Sequence, residues 1–157
     1  MKKDLYIIIL SFIAIAVYAD NRQGIDFYKA GEPTIASRLF EKQLNSSPAE
    51  QAEALYSLGE IAFDENKTSE ALANYQKGWT TFPDYAYNKV GEGKVLLKTD
   101  KSTAQKAFDA AIKINKKDAS VYVAIAKAYS MNGMEAEAQA ALDNAKKYNA
   151  NDPAIYL

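Results

Sequence analysis

The sequence contains no cysteine and no histidine. Their absence excludes disulfides, a thiol nucleophile, a serine-histidine-aspartate triad and the usual zinc sites. No metal site and no cofactor is expected. Neither sign of charge is in excess: 19 Lys and Arg stand against 20 Asp and Glu, for a formal net charge of −1. That balance lacks the electrostatic footprint of a nucleic-acid binder, and it offers no pull toward an anionic membrane. Glycine (7) and proline (4) are scarce and fall mostly in turns or at regularly spaced positions, which suits an all-helical chain and not a disordered one.

Long apolar runs are missing, with one exception at the start. Lys2 and Lys3 open the chain, Leu5 to Val17 is almost wholly apolar, and Val17-Tyr18-Ala19 puts small residues at the two positions a signal peptidase reads. Residues 1–19 therefore read as a secretory signal peptide. The alternative is a membrane anchor, but this run falls short of the roughly 20 residues a helix needs to cross a bilayer. Cleavage after Ala19 removes Lys2, Lys3 and Asp4 and leaves −2. With no Cys at the junction a lipoprotein anchor is not available. The mature chain is expected to be exported without membrane insertion, to the periplasm if the source is Gram-negative and otherwise outside the cell.

What the rest of the chain does have is a period. Ala36, Ala71, Ala104 and Ala138 are separated by 35, 33 and 34 residues. Four residues after each come Phe40, Tyr75, Phe108 and Leu142, and three further on Gln43, Gly78, Ala111 and Ala145. The i, i+4, i+7 spacing is one face of a buried helix, where small residues admit a neighbour and bulky ones fill the space between. Twelve residues before the alanines lie Gly24, Gly59, Glu92 and Ala126, and Gly93 is one place late, as a turn shorter by one residue would make it. Pro48 and Pro83 close the first two units.

This pattern resembles the tetratricopeptide repeat, a 34-residue helix-turn-helix. The resemblance runs from about Asp20 to Asn151 and implies an all-α, right-handed α-solenoid of four repeats, at about 20–50, 51–84, 85–118 and 119–150. Pro33 should open the second helix of repeat one, with Ile35, Leu39, Phe40 and Leu44 as its buried stripe, and Gly24 and Phe27 should face that helix. Gln43 departs from the small residue the family prefers and reads as a polar residue tolerated in an end repeat. Trp79 reads as core, Gly93 as a helix contact and Gly91 as a soft point. Residues 152–157 look like the opening of a fifth repeat. Either the chain was cut from a longer protein or this last helix pairs with another molecule.

The resemblance also implies a function. First helices of such repeats line a concave surface that holds a partner's peptide or helix. Their outward positions are Asn21 and Tyr28 in repeat one, Tyr56, Glu60, Phe63 and Asp64 in repeat two, Tyr87, Lys94 and Lys98 in repeat three, and Val123 and Lys127 in repeat four. Aromatic anchors beside exposed charges suit a non-catalytic protein-binding scaffold. The cationic clamp by which chaperone-binding members grip a terminal carboxylate is missing: its places hold Asn21 and Ile25, Ser57, and Tyr87 and Gly91. Two contrasting readings are self-assembly through the uncapped last repeat, giving a homo-oligomer, and a carboxylate enzyme built on Glu60 and Asp64. Those two acids lie one helical turn apart and should both be solvated, which disfavours acid-base work.

Overall fold

The computed structural model describes residues 22–151 and 153–155. Residues 1–19, which the sequence reads as a signal peptide, and Asn21 lie outside the described residues. The described chain is helical throughout and runs as successive helix pairs. Residues 22–29 (α1) pair with Pro33–Gln43 (α2), Pro48–Asp64 (α3) with Thr68–Thr81 (α4), Tyr87–Leu96 (α5) with Lys101–Ile114 (α6), and Ala119–Ser130 (α7) with Glu135–Tyr148 (α8). A 3₁₀ turn, Pro153–Ile155, follows.

Local chemistry sets the boundaries. Pro33 and Pro48 stand in the first turns of α2 and α3, where a missing N–H costs nothing. At α3 the Ser47 N–H donates to Glu50 Oε2 at 3.0 Å, the half of a capping box in which the third-position carboxylate reaches back to the cap, and the Ser47 hydroxyl donates to the same oxygen at 2.7 Å. Asp100 and Asp118 cap α6 and α7 by accepting from the Thr103 and Ser120 N–H groups at 3.0 and 2.9 Å. The turns inside the first, second and fourth pairs each contain one left-handed residue: Gly31, Asn66 and Gly133, at φ +81°, +61° and +70°. The third pair has none in its turn, residues 97–100, which is no shorter than the others.

Within the first three pairs the alanine and the bulky residue four places on are buried together, and in the fourth Ala138 is buried beside a half-buried Leu142. Ala36 with Phe40, Ala71 with Tyr75, and Ala104 with Phe108 are all fully inaccessible. The rings lie against glycines of the preceding helix. A Cβ on Gly24 would come within 2.8 Å of Phe40, and one on Gly93 within 2.4 Å of Phe108. Gly91 has the same role and is no soft point: a Cβ there would sit 2.2 Å from the Tyr75 ring, whose other side meets Gly59 at 2.4 Å. Tyr75 thus passes from α4 through a gap between α3 and α5 that only glycines leave open.

Across pairs, α3 packs on α5 and α5 on α7, whereas α4, α6 and α8 make no contact with one another. A stack that touches along one row of helices and splays along the other is curved, with the touching row inside. The first helices are therefore the concave layer.

Several details of the first two repeats differ from the sequence reading. In α1 the half-buried positions are Ile25 and Tyr28, packed on the Phe40 cluster, while Phe27 is 37% exposed. Ile35 is 39% exposed, since Ala36, one place on, takes the inward position in the first turn of α2. Gln43, the polar residue read as tolerated in an end repeat, is 1% exposed and neither side-chain amide atom has a partner. Trp79 is half-buried, with the Lys89 ammonium 4.6 Å above its ring.

Candidate functional site

One carboxylate ties the middle of the concave layer together. The Tyr75 hydroxyl, having crossed between Gly59 and Gly91, donates to Glu60 Oε1 of α3 at 2.5 Å. Lys94 of α5 donates to the same oxygen at 2.6 Å, and its ammonium lies 4.2 Å from the centre of the Phe63 ring. Glu60 therefore joins the second and third helix pairs. Lys94 is only 4% exposed, which corrects the expectation of an exposed, partner-facing lysine. The repeat register alone points it outward, but a carboxylate 34 residues away on the adjoining helix folds it back under cover. Glu60 is likewise not a free surface acid, being half-buried with two donors.

Around this junction lies a tyrosine cluster. The Tyr56 ring is 5.7 Å from Tyr87, 6.4 Å from Tyr85 and 6.0 Å from Tyr75, and Tyr85 is 5.4 Å from Tyr87. The rings are tilted or edge-on to one another, as aromatic quadrupoles prefer. Tyr56, Tyr85 and Tyr87 line a hollow of about 270 Å³ together with Ile25, Tyr28, Glu53, Glu60 and Lys127. A smaller hollow of about 40 Å³ shares Tyr56, Glu60 and Lys127 and continues along the layer to Ala124 and Met131. At the edge, Tyr28 donates to Asp64.

Burial pushes the Tyr56, Tyr75 and Tyr28 hydroxyls well above the ordinary tyrosine range. For Tyr56 and Tyr75 the charge of Glu60 adds to the effect, and for Tyr28 the hydrogen bond to Asp64 does. Tyr85 is raised by burial and then by the charge of Glu53. Where the charged form is desolvated and faces carboxylates, the phenol stays neutral, so these side chains present π-faces and O–H donors and no negative charge of their own. Glu60 and Asp64 each accept from a different tyrosine and so do not form a paired-acid site. Among the described residues no group of carboxylates is gathered to hold a metal ion, and no helix is long and apolar enough to cross a membrane.

Of the residues chosen from sequence, Tyr28, Tyr56, Glu60, Tyr87 and Lys127 meet at the larger hollow, and Lys94 lines the smaller one. Phe63 lies beneath Lys94, and exposed Lys98 approaches its ring at 5.4 Å. Val123 is not brought to this place: it packs half-buried against Ala119, Tyr122, Ala145 and Ile155 at the far end of the stack. Asn21 lies outside the described residues. Sequence reasoning missed Tyr85 and Glu53. Tyr85 sits in the turn before α5, where a search confined to helix faces does not look, though the Tyr85-Ala86-Tyr87 alternation was there to be seen.

This architecture matches solved structures over most of its length. The crystal structure of TTC0263, a thermophilic TPR protein in Thermus thermophilus, aligns with a TM-score of 0.66 at 20% identity, over 85% of this chain and 75% of that one. The fold is that of the tetratricopeptide repeat. A crystal structure of MamA has the same arrangement, with a TM-score of 0.57 at 23% identity over 92% of this chain and 85% of that one. The first TPR of Spaghetti (RPAP3), solved bound to an HSP90 peptide, aligns with a TM-score of 0.50 at 19% identity, over 67% of this chain and 84% of that one. No protein-family profile matches the sequence, and no curated protein matches it. The tetratricopeptide-repeat architecture accounts for the concave row of first helices on which the tyrosine hollow lies.

Proposed function

We propose that this protein is a non-catalytic scaffold of the cell envelope, exported by its N-terminal segment, that docks a peptide or helix of another protein in its concave groove. The observation that carries this reading is the tyrosine-lined hollow on the inner helix layer, where half-buried aromatic rings are bordered by charges of both signs. Rigid aromatic faces give large contact area at low entropic cost, and flanking charges fix orientation. Support also comes from the TPR of RPAP3, a protein of the same fold that was solved with a peptide bound.

Capture from the envelope of the source organism tests it, with the full chain as bait and two double variants. Tyr87→Ala with Lys127→Glu alters the concave layer; Lys77→Glu with Lys113→Glu alters exposed positions of the outer helices α4 and α6. The proposal expects a protein retained by the wild type and the outer variant and lost by the concave one. Loss in the outer variant alone overturns it. Capture of nothing but further copies of the same chain would replace it with self-assembly.

A further inference from the structure

The hollow has a chemical preference of its own, beyond being a groove. Three tyrosines, Tyr56, Tyr85 and Tyr87, form a triangle with ring centres 5.4 to 6.4 Å apart. At that spacing one cation above the triangle can lie within roughly 6 Å of all three ring centres. Glu53, on the wall beside Tyr85, is half-buried, whereas Glu60 already shares its charge with Lys94. No ion pair to Glu53 exists among the described residues.

Each class of occupant can be weighed against this wall. An apolar side chain would strip water from the Glu53 carboxylate and give it nothing in return, a costly exchange. An anion would meet both that carboxylate and the negative faces of the rings. A cation gains from both. Lys127 is not such an occupant: it lines the same hollow, yet it is exposed. It is placed to meet an acidic residue of the partner further along the groove.

We infer that the tyrosine triangle with Glu53 is an anchor pocket for a basic side chain, arginine or lysine, carried by the docked peptide. This rests on the concave-groove reading above and names the chemistry of its principal anchor.

The test uses dodecapeptides selected from a random displayed library on the full chain, then resynthesised. The pocket predicts that selected peptides share an Arg or Lys, and that replacing it with norleucine weakens binding about tenfold. Tyr85→Phe, which keeps the π-face, should retain affinity. Tyr85→Leu, which removes it at similar bulk, should lose about tenfold, with circular dichroism confirming that both variants fold. Glu53→Gln should weaken binding and flatten its salt dependence. Peptides that need Tyr87 and Lys127 but tolerate norleucine would overturn the anchor and leave the groove standing. Peptides indifferent to Tyr87 and Lys127, or no selected peptide at all, would overturn both.

Discussion

Gly91→Ala is a substitution that helix propensity alone would recommend, and the structure says it should damage the protein. The new Cβ would lie 2.2 Å from Tyr75 Cε1, 2.4 Å from Cδ1 and 2.5 Å from Cζ. Ordinary contact begins near 3.5 Å, so the ring and α5 must separate by more than about 1 Å. The ring has no retreat. Gly59 stands against its other side at a would-be Cβ distance of 2.4 Å, and its hydroxyl is tied to Glu60. The strain therefore moves α5 away from α3 and stretches the 2.6 Å Lys94–Glu60 contact. Overpacking costs about 1 to 3 kcal/mol. Weakening a hydrogen bond to a charged group adds about 1.5 to 3 kcal/mol, and the gain in helix propensity returns about 1 kcal/mol. The expected net loss is about 3 kcal/mol, roughly 10 °C in melting temperature by far-ultraviolet circular dichroism. In a Tyr75→Leu background the same change should be neutral or slightly stabilising. A Gly91→Ala variant that melts at or above the wild type would refute the trapped ring and with it the close approach of α3 to α5.

Lys94→Ala should cost about 3 kcal/mol, because it leaves Glu60 half-buried with one partner, and Lys94→Met with Glu60→Gln should recover most of it; urea midpoints decide, and a silent Lys94→Ala would return that side chain to the surface. Gln43→Met, replacing an unpaired buried amide with an apolar chain of similar volume, should stabilise by about 1 to 2 kcal/mol, and a loss of stability would show that the amide has a partner. The tyrosine shifts set a pH limit. Folded-state values for Tyr56, Tyr75 and Tyr85 lie above the unfolded value near 10, so their contribution is complete below about pH 10 and is lost as pH rises beyond it. Tyrosinate absorbance at about 295 nm for these groups should therefore appear together with loss of helicity; ionisation of every tyrosine near pH 10 with helicity intact would contradict the burial.

The repeat phase was legible because it is a packing constraint renewed in every unit. Ala36, Ala71, Ala104 and Ala138 had to be small, and Phe40, Tyr75 and Phe108 had to fill the space beside them; all are buried. Groove positions were legible only as far as helix register carries. Register placed Tyr56, Tyr87 and Lys127 on the concave layer. It could not foresee that Glu60 would draw Lys94 under cover, since that depends on how far one first helix lies from the next. That distance is set by Gly59 and Gly91 and the ring between them. Gly91 read as a weak point for the same reason: on a single helix a glycine only costs stability, and its use appears when a side chain from another repeat enters the gap. Tyr85 was invisible to a helix-face reading because it reaches the hollow from a turn.

Docking in the concave layer is tested most directly by placing a photoreactive p-benzoyl-phenylalanine at single positions of the full chain and irradiating cells of the source organism. Position 127 lies at the hollow and position 113 is exposed on α6, away from it. A covalent adduct of one defined size formed from position 127 and absent from position 113 is the expected result. An adduct formed from 113 and not from 127 would place the partner on the outer face and contradict the concave groove as the working surface.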